Sequence, residues 1–326
     1  MMNVKDIVAR FQHVEGQRDN WNNHYQELAD YMLPRKADIV KKRSRGEKRM
    51  ELIFDGTALQ SVDLLSSSLH GMLTSGATPW FHLTMKDEEL GKDEEVQRWL
   101  EDSSQRMMRA FTMSNFETEV HEMYVDLVVF GTGCMFVEMD KKTLRFSTRH
   151  ISEFYVTEDQ YGMVDTVFRK YEIPARQAVQ RFGIENVGTF IQRTYEKKPD
   201  ENVEILHAVM PRADRDPTKQ DNKNMPYSSM YICLETKMIL AESGFQELPY
   251  VVPRFLKATG EVMGRSPAMI ALPDVKMLNL MSKTIIQAAQ KMIDPPLLVP
   301  DDGFLLPIRT QPGGLNFYRS GSRDTI

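Results

Sequence analysis

Side chains that could bind a metal ion or react as nucleophiles are scattered along this sequence. None of the seven histidines stands four residues from another or next to a cysteine, although zinc sites built on a helix need such spacings. The two cysteines, Cys134 and Cys233, are far apart and form no CxxC pair. They therefore predict neither a disulfide framework nor a thiol redox motif. We expect no metal site and no cofactor.

Acidic and glycine-containing segments give no better evidence for catalysis. Asp301 and Asp302 form an adjacent acid pair in a loop flanked by prolines. General acid–base catalysis needs carboxylates that converge from separate elements, so a solvated turn is the better interpretation. The tripeptide at 131–133 (GTG) is too short for a phosphate-binding loop and predicts a tight turn. Since the common nucleotide-binding and hydrolase motifs are also missing from the sequence, we predict a protein without catalytic residues.

The balance of charge argues against a protein that mainly grips a nucleic-acid backbone. The 41 lysine and arginine residues are outnumbered by 46 aspartates and glutamates, for a net charge of −5. Proteins that neutralise many phosphates usually carry a basic surplus instead. One local basic run, at 35–49, stands apart. A solvated loop is its favoured interpretation, and contact with a protein or with nucleic acid are the alternatives left open.

Composition predicts a soluble chain with a substantial core. Hydrophobic residues make up 41% and charged residues 27%, which is ordinary for globular proteins. The sequence has no run of 18 uncharged apolar residues and no signal-peptide pattern at its amino terminus. We therefore expect neither membrane insertion nor export.

Hydrophobic spacing and turn residues predict both helices and strands, and thus an α+β fold that is mainly helical. Helices are predicted over 4–33, from a cap at Asp55 through Met72, over 93–113 and 117–130, and in two short segments after Pro174 and at 187–195. Strands are predicted at 80–84, 134–139, 144–148, 154–156, 164–171, 203–210, 229–234, 238–241 and 250–256. We expect 134–139 to pair with 144–148, and 229–234 to form a hairpin with 238–241.

A long helix is predicted between Pro273 and the pair Pro295-Pro296. The intervening 21 residues contain no glycine or proline, enough for a helix about 30 Å long. Its polar residues form one narrow stripe, and most of the others are apolar or small: the stripe is Lys276, Asn279, Lys283, Gln287 and Gln290. A helix that is apolar over most of its circumference must be buried on several sides. It either runs through the middle of a domain or is flanked by copies of itself.

Several short motifs follow one another in order along the chain. They include WNNHYQELADYMLP at 21–34, and FDGTA, LHGMLTS and PWF within 49–81. The set continues with GTGCMFVE at 131–138, with GRSP and ALPDV within 264–275, and with DPPL at 294–297. Together these motifs resemble those of the head-to-tail connector, or portal, proteins of short-tailed bacteriophages. Each motif is weak alone, but the ordered set makes a chance match improbable.

The resemblance implies a ring, typically of twelve copies, at one vertex of the capsid. Double-stranded DNA would pass through it without sequence-specific binding, driven by a separate terminase motor. Major capsid, scaffolding and tail or adaptor proteins would be its other partners, and no membrane would be involved. The protein would belong to the virion, after assembly in the host cytoplasm.

The resemblance also divides the chain. Residues 1–263 would form a wing-like α/β region, 264–294 the first stem helix, and 295–326 the start of a small, β-rich clip. Family members usually continue with a second stem helix, a channel loop and a helical crown, which are not in this chain.

Site residues follow from the same resemblance. The polar stripe, Lys276, Asn279, Lys283, Gln287 and Gln290, would face the channel, with the outer surface as the alternative. Apolar side chains beside it would form the subunit interface: Leu278, Met281, Ile285, Ala289 and Met292. The clip would contact partners through Pro295, Pro296, Asp301 and Asp302. Two other functions stay open, a capsid-associated adaptor without a channel and, less favoured, a metal-dependent nuclease.

Overall fold

The computed structural model describes residues 3–44, 46–87, 89–140, 143–216, 218–219 and 221–293. Within these ranges the chain forms seven α-helices and eight β-strands. The helices are α1 Val4–Met32, α2 Thr57–Leu73, α3 Glu94–Thr112, α4 Phe116–Phe130, α5 Ala175–Phe182, α6 Gly188–Lys197 and α7 Pro267–Ile293. The strands are β1 Met135–Asp140, β2 Thr143–Thr148, β3 Phe154–Glu158, β4 Val164–Pro174, β5 Asn202–Pro211, β6 Tyr227–Cys233, β7 Met238–Phe245 and β8 Tyr250–Val251. The predicted α+β class is confirmed.

The strands form two antiparallel sheets. β3 to β7 pair in chain order in a five-stranded sheet. β1 and β2 form a hairpin, and β8 pairs with the other edge of β1. Both predicted strand pairings, β1 with β2 and β6 with β7, are confirmed.

Both faces of the five-stranded sheet are covered by helices. Ile7 and Phe11, in the first half of α1, pack with Leu206 against one face. Ile191 of α6 packs with Ile205 against the other. Because Ile205 and Leu206 are neighbours on β5, their side chains point to opposite faces of the sheet, and the sheet is buried on both.

The largest hydrophobic cluster lies where α1, α2 and α4 meet the smaller sheet. Leu28 of α1, Val62 of α2 and Phe130 of α4 are all buried in it. The first turns of α7 enter the same cluster through Ala268 and Leu272. The beginning of α7 is therefore part of the core.

The predicted strand at 80–84 is wrong, because this segment forms neither a strand nor a helix. Its aromatic residues pack on helices instead, with the Trp80 ring stacked on Phe116 at 5.8 Å between centroids and also close to Phe111. The backbone N–H of Leu83 donates to Ser104 Oγ on α3, at 3.0 Å. Aromatic residues favour a strand only where a partner strand is available.

Two other predicted boundaries are corrected. β8 ends at Val251 rather than at residue 256, because Pro253 has no N–H to donate to a ladder, and only isolated bridges at Arg254 and Leu256 follow. α7 begins at Pro267 rather than after Pro273, which lies inside the helix. The hydroxyl of Ser266 accepts a hydrogen bond from Met269 N at 3.1 Å, so the helix start signal lies earlier than predicted.

The density of internal contacts divides the chain into two units, residues 1–276 and 277–326. The first contains every element up to the early turns of α7. The second, as far as it is described, is the remainder of α7. The division implied by the family resemblance, at 263/264 and 294/295, stays a prediction.

Candidate assembly surface on helix α7

The start of α7 is fixed by buried hydrogen bonds to the end of α4. Ser266 Oγ donates to the carbonyl oxygen of Val129 at 2.8 Å, and Gly264 N donates to Thr132 Oγ1 at 2.8 Å. Ser266 and Thr132 are fully buried. Since buried polar groups of this kind are costly to leave unpaired, the two segments hold each other in place.

Two glycines allow this close approach. Gly131 ends α4 with a φ of 78°, a conformation that costs other residues free energy. A Cβ on Gly131 would lie 2.4 Å from Gly264 O, and one on Gly264 would lie 2.2 Å from Gly131 O. Both glycines belong to motifs that carried the family resemblance, but the sequence did not predict that these motifs touch.

The early part of α7 also contacts α1 through charged groups. Lys276 Nζ lies 2.5 Å from Glu27 Oε1 on α1. Just before the helix, Arg265 pairs with Glu261, with 2.8 Å between Nε and Oε2, and its guanidinium lies 4.5 Å from the centre of the Trp21 ring. Lys276, the first residue of the predicted polar stripe, thus already has an acidic partner.

The later part of α7, residues 277–293, exposes its large apolar side chains. Their exposed fractions run from 39% at Leu278 to 85% at Ile293: the set is Met277, Leu278, Leu280, Met281, Ile285, Ile286, Met292 and Ile293. At 100° per residue these positions cover about two-thirds of the helix circumference. Exposed apolar surface of this extent is typical of a protein–protein contact.

All five residues of the predicted subunit interface are on this exposed surface. Leu278 is 39%, Met281 54%, Ile285 66% and Met292 83% exposed, and Ala289 is exposed as well. We call the apolar residues of 277–293 the α7 surface.

The predicted polar stripe is exposed except at one residue. Lys276, Lys283, Gln287 and Gln290 are exposed. Asn279 is only 4% exposed. It follows the buried Leu272 by seven residues and so lies on the same face of the helix. The predicted clip contacts Pro295, Pro296, Asp301 and Asp302 lie outside the described residues.

After a single 3-10 turn at Pro34–Lys36, the described residues of the basic segment at 35–49 form a loop, as predicted, but several of its cations pair with acids of the same chain. Lys36 Nζ lies 2.7 Å from Glu122 Oε1 and 2.6 Å from Asp126 Oδ1, both on α4. Arg43 Nη2 lies 3.2 Å from Asp30 Oδ1. Their side chains are only 11% and 17% exposed, so a fully solvated loop is wrong here, and these cations are already neutralised locally.

The backbone of the same loop is held by one side chain of α1. Gln26 Oε1 accepts hydrogen bonds from three consecutive backbone N–H groups, at residues 39, 40 and 41, over 2.9 to 3.2 Å. Its Nε2 donates to Ala37 O at 2.6 Å. Periodicity gave no sign of this role, because a buried glutamine on a helix is indistinguishable in sequence from a solvated one.

Among the residues placed by the structure, no three His, Cys, Asp or Glu side chains are grouped closely enough to hold a metal ion. Across the described helices, no segment combines the length and hydrophobicity that a bilayer span would need.

Comparison with known proteins identifies the family. A family model described as bacteriophage head to tail connecting protein matches residues 4–326. The chain is 34% identical over 319 residues to a "Probable portal protein" of Bordetella phage BPP-1, covering 96% of this chain and 57% of that protein. It is 33% identical over 300 residues to a "Portal protein" of Salmonella phage epsilon15, covering 90% and 54%. The chain thus spans a little over half the length of these relatives. Because the family model matches the chain almost from end to end, the chain belongs to the bacteriophage head to tail connecting protein family.

Proposed function

We propose that this chain belongs to a portal subunit, which assembles as a ring at one vertex of a phage capsid. Double-stranded DNA would pass through the ring during packaging and ejection. Membership of the connector family supports this role, as do the names of the two relatives. The role is structural rather than catalytic.

The α7 surface carries the proposal. Leu280, Ile285 and Met292 are 65%, 66% and 83% exposed in a single chain. Burying each such side chain on association is worth about 1.5–3 kcal/mol, so a solvated α7 surface favours self-association. In a closed ring every copy meets one neighbour on each flank through unlike surfaces. Each α7 helix would then contact a neighbouring copy on two sides, which agrees with an apolar surface that covers most of the helix circumference.

The exposed residues of the polar stripe would face the channel between these flanks, whereas Asn279 is buried within the chain. Its exposed residues are two lysines and two glutamines, and the acid partner of Lys276 reduces the net charge offered to DNA. Each neutralised phosphate adds affinity through counterion release, and a continuous basic lining would therefore retain the duplex. A lining with few basic residues lets the DNA duplex slide through without sequence-specific binding.

The assembled ring would engage several partners in succession. Terminase, the major capsid and scaffolding proteins, and tail or adaptor proteins are the partners that this role requires. Assembly would take place in the host cytoplasm, and the finished protein would lie at the portal vertex of the virion. The typical number of copies in such a ring is twelve.

Mass photometry of the purified chain over a range of concentrations tests self-association. We expect a single large species at a fixed multiple of the subunit mass, growing at the expense of monomer as concentration rises. A chain that stays monomeric at all concentrations up to tens of micromolar contradicts the proposal. A discrete oligomer without a central hole in negative-stain images favours an adaptor instead.

A further inference from the structure

A polar cleft that α7 does not line contains an unusual group of arginines. It has a volume of about 530 Å³ and lies between the β1–β2 hairpin and β4, next to α5. Four arginines line it: Arg145, Arg149, Arg169 and Arg181. Strand alternation explains much of the grouping, because residues two apart on a strand share one face. Arg169 and Tyr171 of β4 are related in this way.

Among the described residues, the guanidinium of Arg149 has an aromatic contact but no hydrogen bond or ion pair. Its Nε is buried without a hydrogen bond, and its guanidinium lies 5.4 Å from the centre of the Phe136 ring. Arg18 and Arg212 also have an unpaired Nε, but both terminal nitrogens of each donate hydrogen bonds. Arg149 therefore has a hydrogen-bonding deficit that those two arginines do not share.

A second unpaired donor lines the same cleft. The hydroxyl of Tyr171 is buried and has no hydrogen-bond partner. Buried polar groups are nearly always paired, and two unpaired groups on one cleft suggest a missing ligand. Both can donate, since a guanidinium has only N–H donors and a phenol can give its proton. The missing ligand must therefore supply acceptor oxygens.

The charges around the cleft leave a positive surplus. Arg169 pairs with Glu153, with 2.8 Å between Nη2 and Oε2, and Glu172 pairs with Lys42 outside the arginine group, at 2.6 Å. Arg181 uses Nη2 to donate to Tyr231 OH at 2.8 Å, which leaves its other donors available. Burial, and then the nearby charge of Arg169, lower the pKa of Arg149. An anion between these arginines would relieve that repulsion.

Glu138 limits what can bind. It lines the cleft and lies directly across the hairpin from Arg145 in the β1–β2 register. Its carboxylate would repel an extended polyanion such as a DNA duplex. Arg149 is also recessed rather than presented on the surface. The cleft suits a compact group with few charges.

We propose that this cleft binds a compact oxyanion, a phosphate or a carboxylate group, with Arg149 as its principal cation. Tyr171 OH and Arg181 supply further donors. A guanidinium matches the two oxygens of either group with paired hydrogen bonds. The free ion and a carboxylate side chain from another protein offer the same chemistry, and the experiment separates them.

Thermal unfolding of the full chain tests the site, with inorganic phosphate and succinate as separate probes at constant ionic strength. We expect a saturable rise in the unfolding midpoint of about 3 °C at ten times the dissociation constant. A rise with phosphate alone identifies a free phosphate site, and a rise with succinate identifies a carboxylate site. Arg149→Met should weaken binding ~10- to 100-fold, and Arg149→Lys should restore part of it.

Two variants separate ligand binding from structural effects. Arg193→Met, on the exposed face of α6, should bind as the wild type does. Tyr171→Phe should weaken anion binding without lowering the midpoint of the anion-free chain, because the hydroxyl has no partner to lose. The proposal is overturned if neither anion raises the unfolding midpoint of the wild type. It is also overturned if both anions raise the midpoint of Arg149→Met as much as that of the wild type. A third result would also overturn it: a short DNA duplex binds in a way that depends on Arg149, while neither small anion has any effect.

Discussion

Gly131 and Gly264 pass so closely that a methyl group on either one would overlap the carbonyl oxygen of the other. The contact joins the residue that caps the end of α4 to the segment that leads into α7. Since Gly131 also has a positive φ, two independent constraints meet at this position. The crossing fixes where α7 starts, and thereby which of its turns belong to the core.

Replacing Gly131 by alanine should therefore destabilise the fold strongly. Gly260 is a matched control, because its φ of 84° is similar but its Cβ would meet nothing within 4 Å. Gly260→Ala should cost about 1–2 kcal/mol, the price of a left-handed conformation. Gly131→Ala should cost about 1–3 kcal/mol more, from overpacking. Urea unfolding measures both, and equal losses would show that the crossing imposes no packing constraint.

Asp126 should make stability depend on pH in a characteristic direction. Burial raises the pKa of its carboxyl to about 6, although Lys36 acts in the opposite direction. The folded chain then holds this proton more tightly than the unfolded chain does. The stabilisation that the protonated Asp126 gives to the folded chain is therefore fully present below about pH 4. It is lost as pH rises through 6, which lowers the free energy of unfolding by on the order of 3 kcal/mol.

The variant Asp126→Asn lacks this titration. As pH rises from 4 to 7, the free energy of unfolding of the variant minus that of the wild type should therefore increase by about 3 kcal/mol. Asp102→Asn is the control, since the Asp102 side chain is 56% exposed in a surface ion pair and such pairs contribute little. A difference between Asp126→Asn and wild type that stays constant with pH would mean that the buried carboxyl does not titrate in this range.

Much of the fold follows from local sequence pattern. Alternation and turn residues predicted the strands of the five-stranded sheet, and helical spacing predicted α1 to α6, because these signals depend on residues close in the chain. The strand predicted at 80–84 failed because its aromatic residues have helices, not a strand, as neighbours. The beginning of α7 was missed because Pro273 resembles a helix start, whereas the actual cap is Ser266.

The candidate sites were less predictable. The apolar circumference of α7 was visible in sequence, since it depends only on the spacing of residues within one helix. The buried position of Asn279 was not, because one polar residue of a stripe resembles the next. The cleft around Arg149 draws on β2, β4 and α5, and its charge balance depends on pairs such as Lys42 with Glu172 that are distant in sequence.

Ile285→Glu should abolish ring formation without unfolding the subunit. The side chain is 66% exposed in the single chain, so the monomer should lose less than about 0.5 kcal/mol. At an interface the same change places a charge in an apolar contact, at a cost of several kcal/mol. Ile184→Glu, at a 49% exposed position outside α7, should assemble normally. Mass photometry compares the two, and normal assembly of Ile285→Glu would remove this position from the interface.

The variant Lys283→Glu should show whether this residue faces the channel or lies in the subunit interface. If the polar stripe faces DNA, reversing this charge leaves the mass of the ring unchanged and alters DNA packaging or ejection, because the contact of Lys283 with phosphate becomes repulsive. Packaging assays with purified motor and capsids, together with mass photometry, measure both properties. Failure to assemble would assign Lys283 to the subunit interface instead.

Electron cryomicroscopy of the assembled chain tests most directly whether identical neighbours enclose α7 around a pore. We predict a closed ring in which Leu278, Ile285 and Met292 contact adjacent copies, while Lys283, Gln287 and Gln290 line a hole wide enough for duplex DNA. An assembly in which no neighbouring copy touches residues 277–293, or in which those three polar residues face away from the hole, would contradict the account.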